Sequence, residues 1–113
     1  MILSQAPIDL LIPELFAAEG GIQRYSRNLI EALRVIHPSI PLRVFCCNDH
    51  PQHLPLSGWD GITWHPSLGS RRRLAASLLK AAQLQRPQLL LSTHPNFSPL
   101  QWLHHRLTGA PSW

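Results

Sequence analysis

Cysteine is nearly missing from this chain: the 113 residues include two, Cys46 and Cys47, and they are adjacent. Neighbouring cysteines build neither a disulfide framework nor the paired spacing of a structural zinc site, so both read as reduced thiols and point to a cytoplasmic protein. Negative charge is scarce as well, with six acidic residues against ten basic ones, nine of them Arg, for a net charge of +4. That excess suits phosphate-bearing ligands or an anionic surface and is too mild to demand nucleic acid. No apolar run approaches the roughly 20 residues that cross a bilayer, so no transmembrane segment is expected, though peripheral membrane contact stays open. The opening MILSQAPIDLLIP lacks a basic segment and carries Asp9, which argues against a signal peptide. Two phosphate-binding signatures are absent too. No G-x-x-x-x-G-K-[ST] loop occurs, and EGGIQRY has Tyr25 where a G-x-G-x-x-G fingerprint needs its last glycine. Asp49, after the second predicted strand, is then weak evidence for a ribose contact, and a nicotinamide enzyme is disfavoured.

What remains is a chain with 44% hydrophobic and 14% charged residues, the balance of a packed globular domain. Its length fits one small domain or part of a larger one, burying roughly two-thirds of its unfolded surface. Strand-like and helical patterns alternate. IDLLIP at 8–13 is a short apolar run of strand length. From Gly21 an amphipathic helix follows, with Ile22, Tyr25, Leu29, Leu33 and Ile36 predicted on its core face and His37-Pro38 ending it. LRVFCC at 42–47 is a second strand, a loop covers 48–61, and ITWH at 62–65 is a third strand. Ser67–Ser70 can cap a helix over about 71–85 with Leu74, Leu78, Leu79 and Ala82 inward. QLLLST at 88–93 has the near-continuous apolarity of a buried parallel strand. After the polar turn HPNFSP a third helix runs over about 100–107. This order predicts an α/β fold: a Rossmann-like, doubly wound parallel sheet of about four strands with flanking helices.

In such a sheet ligands bind beyond the carboxyl ends of the strands, where the winding reverses. Two loops belong there, Glu14–Gly21 after the first strand and His94–Ser98 after the fourth. Gly20-Gly21 opens the first helix, leaving first-turn amides bare for an anion at the positive end of the helix dipole, and Arg24 one turn later can add a charge-assisted partner. The plain alternative is that two glycines only let the chain turn.

On these residues the run LLIPELFAAEGGIQRYSRNLIEAL strongly resembles the amino-terminal segment of the retaining glycosyltransferases of family 4, also called group 1, whose two Rossmann-like halves face across a cleft in the GT-B arrangement. STHPNFSPL resembles the family segment in which a histidine follows the fourth strand. The resemblance spans nearly the whole chain. It implies transfer of a sugar from a nucleotide-sugar donor to an acceptor with retention of anomeric configuration, without a further cofactor. Gly20, Gly21 and Arg24 would lie by the donor diphosphate. His94, or Thr93 if the motif slips by one, would be the catalytic-site residue beside the sugar, and Glu14 and Asn96 would lie near sugar or acceptor. Family members also carry a carboxy-terminal donor-binding half with a pair of glutamates. The expectation is therefore a partial amino-terminal domain, truncated, split or degenerate, inactive alone, its carboxy-terminal half either lost or carried on another chain.

The remaining features read more plainly. Asp49, His50, His53 and His65 sit in or near a proline-broken loop without ligand spacing, so no metal is expected. Arg71-Arg72-Arg73 opens a helix, where positive charge opposes the dipole, and solvation is the default for all three. His104-His105 and the four tryptophans, Trp59, Trp64, Trp102 and Trp113, read as packing or as contacts to missing chain. No Ser-His-Asp or Cys-His set and no acid/base carboxylate pair has defensible spacing. A second reading stays beside the first: a non-catalytic α/β module that binds an anionic or protein partner through its basic helix.

Overall fold

The computed structural model describes residues 6–16, 20–54, 59 and 61–113, apart from the side chains of Ile22 and His53. Four strands, β1 (Ile8–Ile12), β2 (Leu42–Cys46), β3 (Ile62–Pro66) and β4 (Leu89–Ser92), alternate with three helices, α1 (Gly21–Ile36), α2 (Arg71–Leu84) and α3 (Ser98–Thr108). All strand pairs are parallel, in the order β3-β2-β1-β4. The chain therefore winds outward from β1 to β3, then crosses back over the sheet to place β4 on the other side of β1. This is the doubly wound, Rossmann-like α/β arrangement that the alternation of elements predicts.

The central strand β1 is buried at all five positions, as a strand covered on both faces must be. One face packs Ile8, Leu10, Ile12, Leu42 and Val44 against Ile30, Leu29 and Leu33 of α1. The other packs Leu11, Phe45 and Leu90 against Leu74, Leu78 and Ala81 of α2, with Phe97 and Leu100 closing the α3 end. Alternate residues along each strand feed the two layers, which is the period-two geometry of the pleat.

The α1 stripe lies about one residue away from its predicted position. Ser26 and Ile30 are buried while Tyr25 and Ile36 are largely exposed. Ser26 is small enough to sit under the helix, and its hydroxyl donates to Thr93 Oγ1 at 3.3 Å, tying α1 to the end of β4. In α2 the Ser70 hydroxyl accepts from the Arg73 amide, so the cap falls at the last residue of the predicted window. The turn after β4 is a short 3-10 helix, Pro95–Phe97, that runs directly into α3, and α3 accordingly starts at Ser98, ahead of its predicted start.

The last residues also join the sheet. Ser112 bridges Leu90 in parallel fashion, and the Leu90 and Ser92 amides donate to the carbonyls of Pro111 and Trp113. Trp59 and Trp64 pack edge-on with each other and with Phe16, whereas Trp102 and Trp113 are exposed. No helix among the described residues is long and apolar enough to cross a membrane.

Candidate functional site

The reversal of winding opens a crevice between the loops that follow β1 and β4. A cavity of about 280 Å³ lies there, lined by Pro13, Glu14, Gln23, Cys47, Asn48, Gly69, Arg71, His94, Asn96 and Phe97. Every strand end contributes, because a parallel sheet sends all its carboxyl ends to one edge. The loops after β2 and β3, not singled out in the sequence, bring Asn48 and Arg71.

Glu14 is held on one side of this cavity. Gln23 of α1 donates to Glu14 Oε1 at 2.8 Å, and Asn48 donates to Oε2 at 2.6 Å. The loop that carries Glu14 is fixed from beneath by Asp49, fully buried, which accepts from the amides of Leu15 at 2.7 Å and Phe16 at 3.0 Å. Asp49 is thus an anchor for the first loop, and its carboxylate turns toward that backbone rather than toward a ribose. Arg27 adds a second tie by donating to the Leu15 carbonyl at 2.8 Å.

On the opposite wall His94 follows β4. Its Nδ1 accepts from the Asn96 amide at 3.1 Å, so in the neutral ring the proton sits on Nε2, which is left to donate. Ser92 braces the same turn, accepting from the His94 amide and donating to the His94 carbonyl at 3.0 Å. Thr93, the other candidate for this position, spends its hydroxyl on Ser26 of α1 and does not line the cavity.

The third wall is the start of α2. Gly69, with φ of +81°, occupies left-handed backbone that side-chain-bearing residues rarely adopt, and its amide donates to the Cys47 carbonyl at 2.7 Å. This turn aims Arg71 into the crevice. Arg71 has no ion pair or hydrogen-bond partner among the described residues and lines the same space as the Glu14 carboxylate. Behind it Cys47 is buried with its thiol pushed up, first by desolvation, with Arg71 pulling it back and Glu14 opposing. It is a wall group rather than a nucleophile.

Gly20 and Gly21 sit exposed at the start of α1, one turn from Gln23. Neither needs to be glycine for backbone reasons: Gly20 is extended, with φ of 167°, and Gly21 is helical with nothing within 4 Å of an added Cβ. A Cβ on Gly20 would meet the Gln23 side chain, at 2.8 Å from its Oε1, which would have to shift. The turn requirement considered from the sequence is therefore not what these glycines satisfy. Both lie outside the cavity lining, as does the exposed Arg24.

The structure thus brings Glu14, His94 and Asn96 to one cavity and leaves Gly20, Gly21 and Arg24 outside its lining. It adds Gln23, Asn48 and Arg71. His65 stacks on Phe45 at 4.6 Å and Asp49 is spent on the first loop, and no cluster of three metal-ligating side chains occurs among the described residues. No family model, curated protein or solved structure matches this chain.

Proposed function

We propose that this domain forms one half of a retaining sugar transferase and that the crevice at the winding reversal takes the sugar and diphosphate of a nucleotide-sugar donor. The observation that carries the reading is the convergence of His94, Glu14 and Arg71 on one cavity at the carboxyl edge of the sheet. Glycosyl transfer develops negative charge on the leaving diphosphate and positive charge on the sugar. Preset donors near the phosphate oxygens then stabilise the transition state more than the ground state. The α1 amides at Gly20 and Gly21, together with Arg71, supply such donors without reorganisation. The protonated Nε2 of His94 donates to a sugar hydroxyl, and Glu14, steadied by Gln23 and Asn48, accepts from another. A second Rossmann-like half, which the family resemblance implies, closes the crevice and completes the transfer.

The test is a titration of the isotope-labelled chain with nucleoside-diphosphate sugars and with inorganic pyrophosphate, read by amide chemical shifts. Shifts at Gly20, Gly21 and His94, weakened about tenfold by Arg71→Ala as expected for one lost charge-assisted bond, support the reading. Absence of any response at those three residues overturns it. Arg71 also favours the second reading, an anion-binding interaction module, because it stands beside the exposed Arg72 and Arg73. Responses to an acidic peptide confined to residues 71–73, with silence at His94, decide for that module.

A further inference from the structure

We infer that His104 makes α3 an acid-releasable clasp: at neutral pH an uncharged ring seats the helix on the sheet, and protonation expels it together with the chain that follows. The inference is independent of what the crevice binds.

His104 is fully buried, and neither ring nitrogen has a hydrogen-bond partner among the described residues. Its Nε2 lies 4.0 Å from Asp9 Oδ2, too far for a hydrogen bond. Asp9 is already committed, because Arg43 reaches both of its oxygens from the neighbouring strand, Nε to Oδ1 at 2.6 Å and Nη2 to Oδ2 at 2.9 Å. The remaining Arg43 nitrogen, Nη1, donates to the Ala81 carbonyl of α2. One negative and one positive charge therefore cancel in the interior. A proton on His104 adds a second cation, and the counter-charge facing it among the described residues, the Asp9 carboxylate 4.0 Å away, is already shared with Arg43, an arrangement that burial penalises.

The charged groups around the ring all bear on the sign. Asp9 faces it from β1 and Arg43 from β2, α2 contributes the Ala81 carbonyl, and His105 adjoins it on α3. Desolvation first, then Arg43 and His105, hold the ring below its ordinary value of 6.5. A histidine lowered on folding contributes stability that is present above the unfolded value and is lost as pH falls below it. Acid thus favours the released helix.

α3 has a weakly apolar buried face. Its buried side chains are His104 and Thr108, a titratable ring and a hydroxyl, while Trp102 and Leu107 are largely exposed. The apolar burial that opposes opening is modest, the half-buried Leu100 against the core and Ala110 beyond the helix. The chain beyond it is tied to α3, where Thr108 Oγ1 accepts from the Ala110 amide, His105 Nδ1 meets the Ala110 carbonyl at 2.7 Å, and Gln101 bonds Ser112 and the Trp113 carbonyl; three backbone bonds between 111–113 and β4 must break with it. Residues 98–113 are therefore expected to leave as a unit. Because α3 grows directly out of Pro95–Phe97, release also loosens the Asn96 and Phe97 wall of the crevice.

Hydrogen exchange read by mass spectrometry on the full chain, corrected for intrinsic rates between pH 8 and 5.5, tests the clasp. Opening of residues 98–113 is expected to rise below pH 6.5 by at most about tenfold per pH unit, the limit for one proton, ahead of peptides from β1 and β2. His65, half-buried, responds in the same window but reports through β3. His104→Leu should flatten the response of 98–113. Equal protection at pH 8 and 5.5, or an unchanged response in His104→Leu, overturns the inference. If that variant does not fold, the ring signal of His104 in the parent chain decides. A ring that stays neutral until α3 opens supports the clasp, and one that titrates at 6.5 or above with α3 still protected refutes it.

Discussion

Asp9 and Arg43 are register partners on adjacent parallel strands, and their side chains meet in a two-point ion pair beneath α2, with Asp9 fully enclosed. Burial pushes the Asp9 carboxyl up while the guanidinium pulls it back. Such a pair contributes little beyond an apolar replacement of both residues, yet is costly to break from one side. Arg43→Met should therefore destabilise the fold by about 3–5 kcal/mol, because it strands a buried carboxylate. Urea unfolding followed by circular dichroism measures the loss, and a drop below about 1 kcal/mol would mean that Asp9 is neutral in the folded protein.

A second pH-sensitive histidine sits half-buried on β3. His65 stacks on Phe45 with the rings 9° from parallel, and desolvation followed by Arg43 holds it below 6.5. Its neutral form supports folding above 6.5, and that support fades as pH falls below it. His65→Phe keeps the stacking and removes the titration. The variant should match the parent at pH 8 within about 1 kcal/mol and exceed it at pH 5, as thermal melts at the two pH values will show.

Asp49 ties the first loop to the core by accepting two backbone amides. Asp49→Ala leaves both donors unmatched in a buried place, for a loss of about 2–4 kcal/mol, with Asp49→Asn losing less because its carbonyl oxygen still accepts. Amide exchange at Leu15 and Phe16 should accelerate in both variants. Unchanged exchange there would show that Arg27 alone holds the loop.

Gly21→Ala separates folding from binding. The position is helical with open space around it, so alanine should stabilise α1 by about 0.5–1 kcal/mol. Under the proposed function the same methyl group obstructs the bare amides and weakens pyrophosphate binding. Denaturant midpoints and the amide titration together measure the two effects. A stabilised variant that binds as well as the parent would leave these glycines without a ligand role.

The order of strands and helices was legible in the residue pattern because each element carries its own period: a near-continuous apolar run for β1 and β4, three-and-four spacing for α1 and α2, proline or a serine cap at their ends. Local chemistry also marked Glu14, His94 and Asn96 as loop residues at the carboxyl edge. The α1 stripe was misjudged because Ser26 carries no apolar signal, although its size and hydroxyl suit the interior. Arg71 read as solvated because a run of three arginines looks alike along the chain, and only the left-handed turn at Gly69 separates the one that faces the crevice. Asp9 and Arg43 lie 34 positions apart and become partners only when β2 pairs with β1. His104 joins them only because α3 folds back over that face of the sheet. Sequence by itself determined the local periods and hence the α/β class. Strand order decided which side chains meet, because burial, charge compensation and the shape of the crevice depend on contacts between residues far apart along the chain.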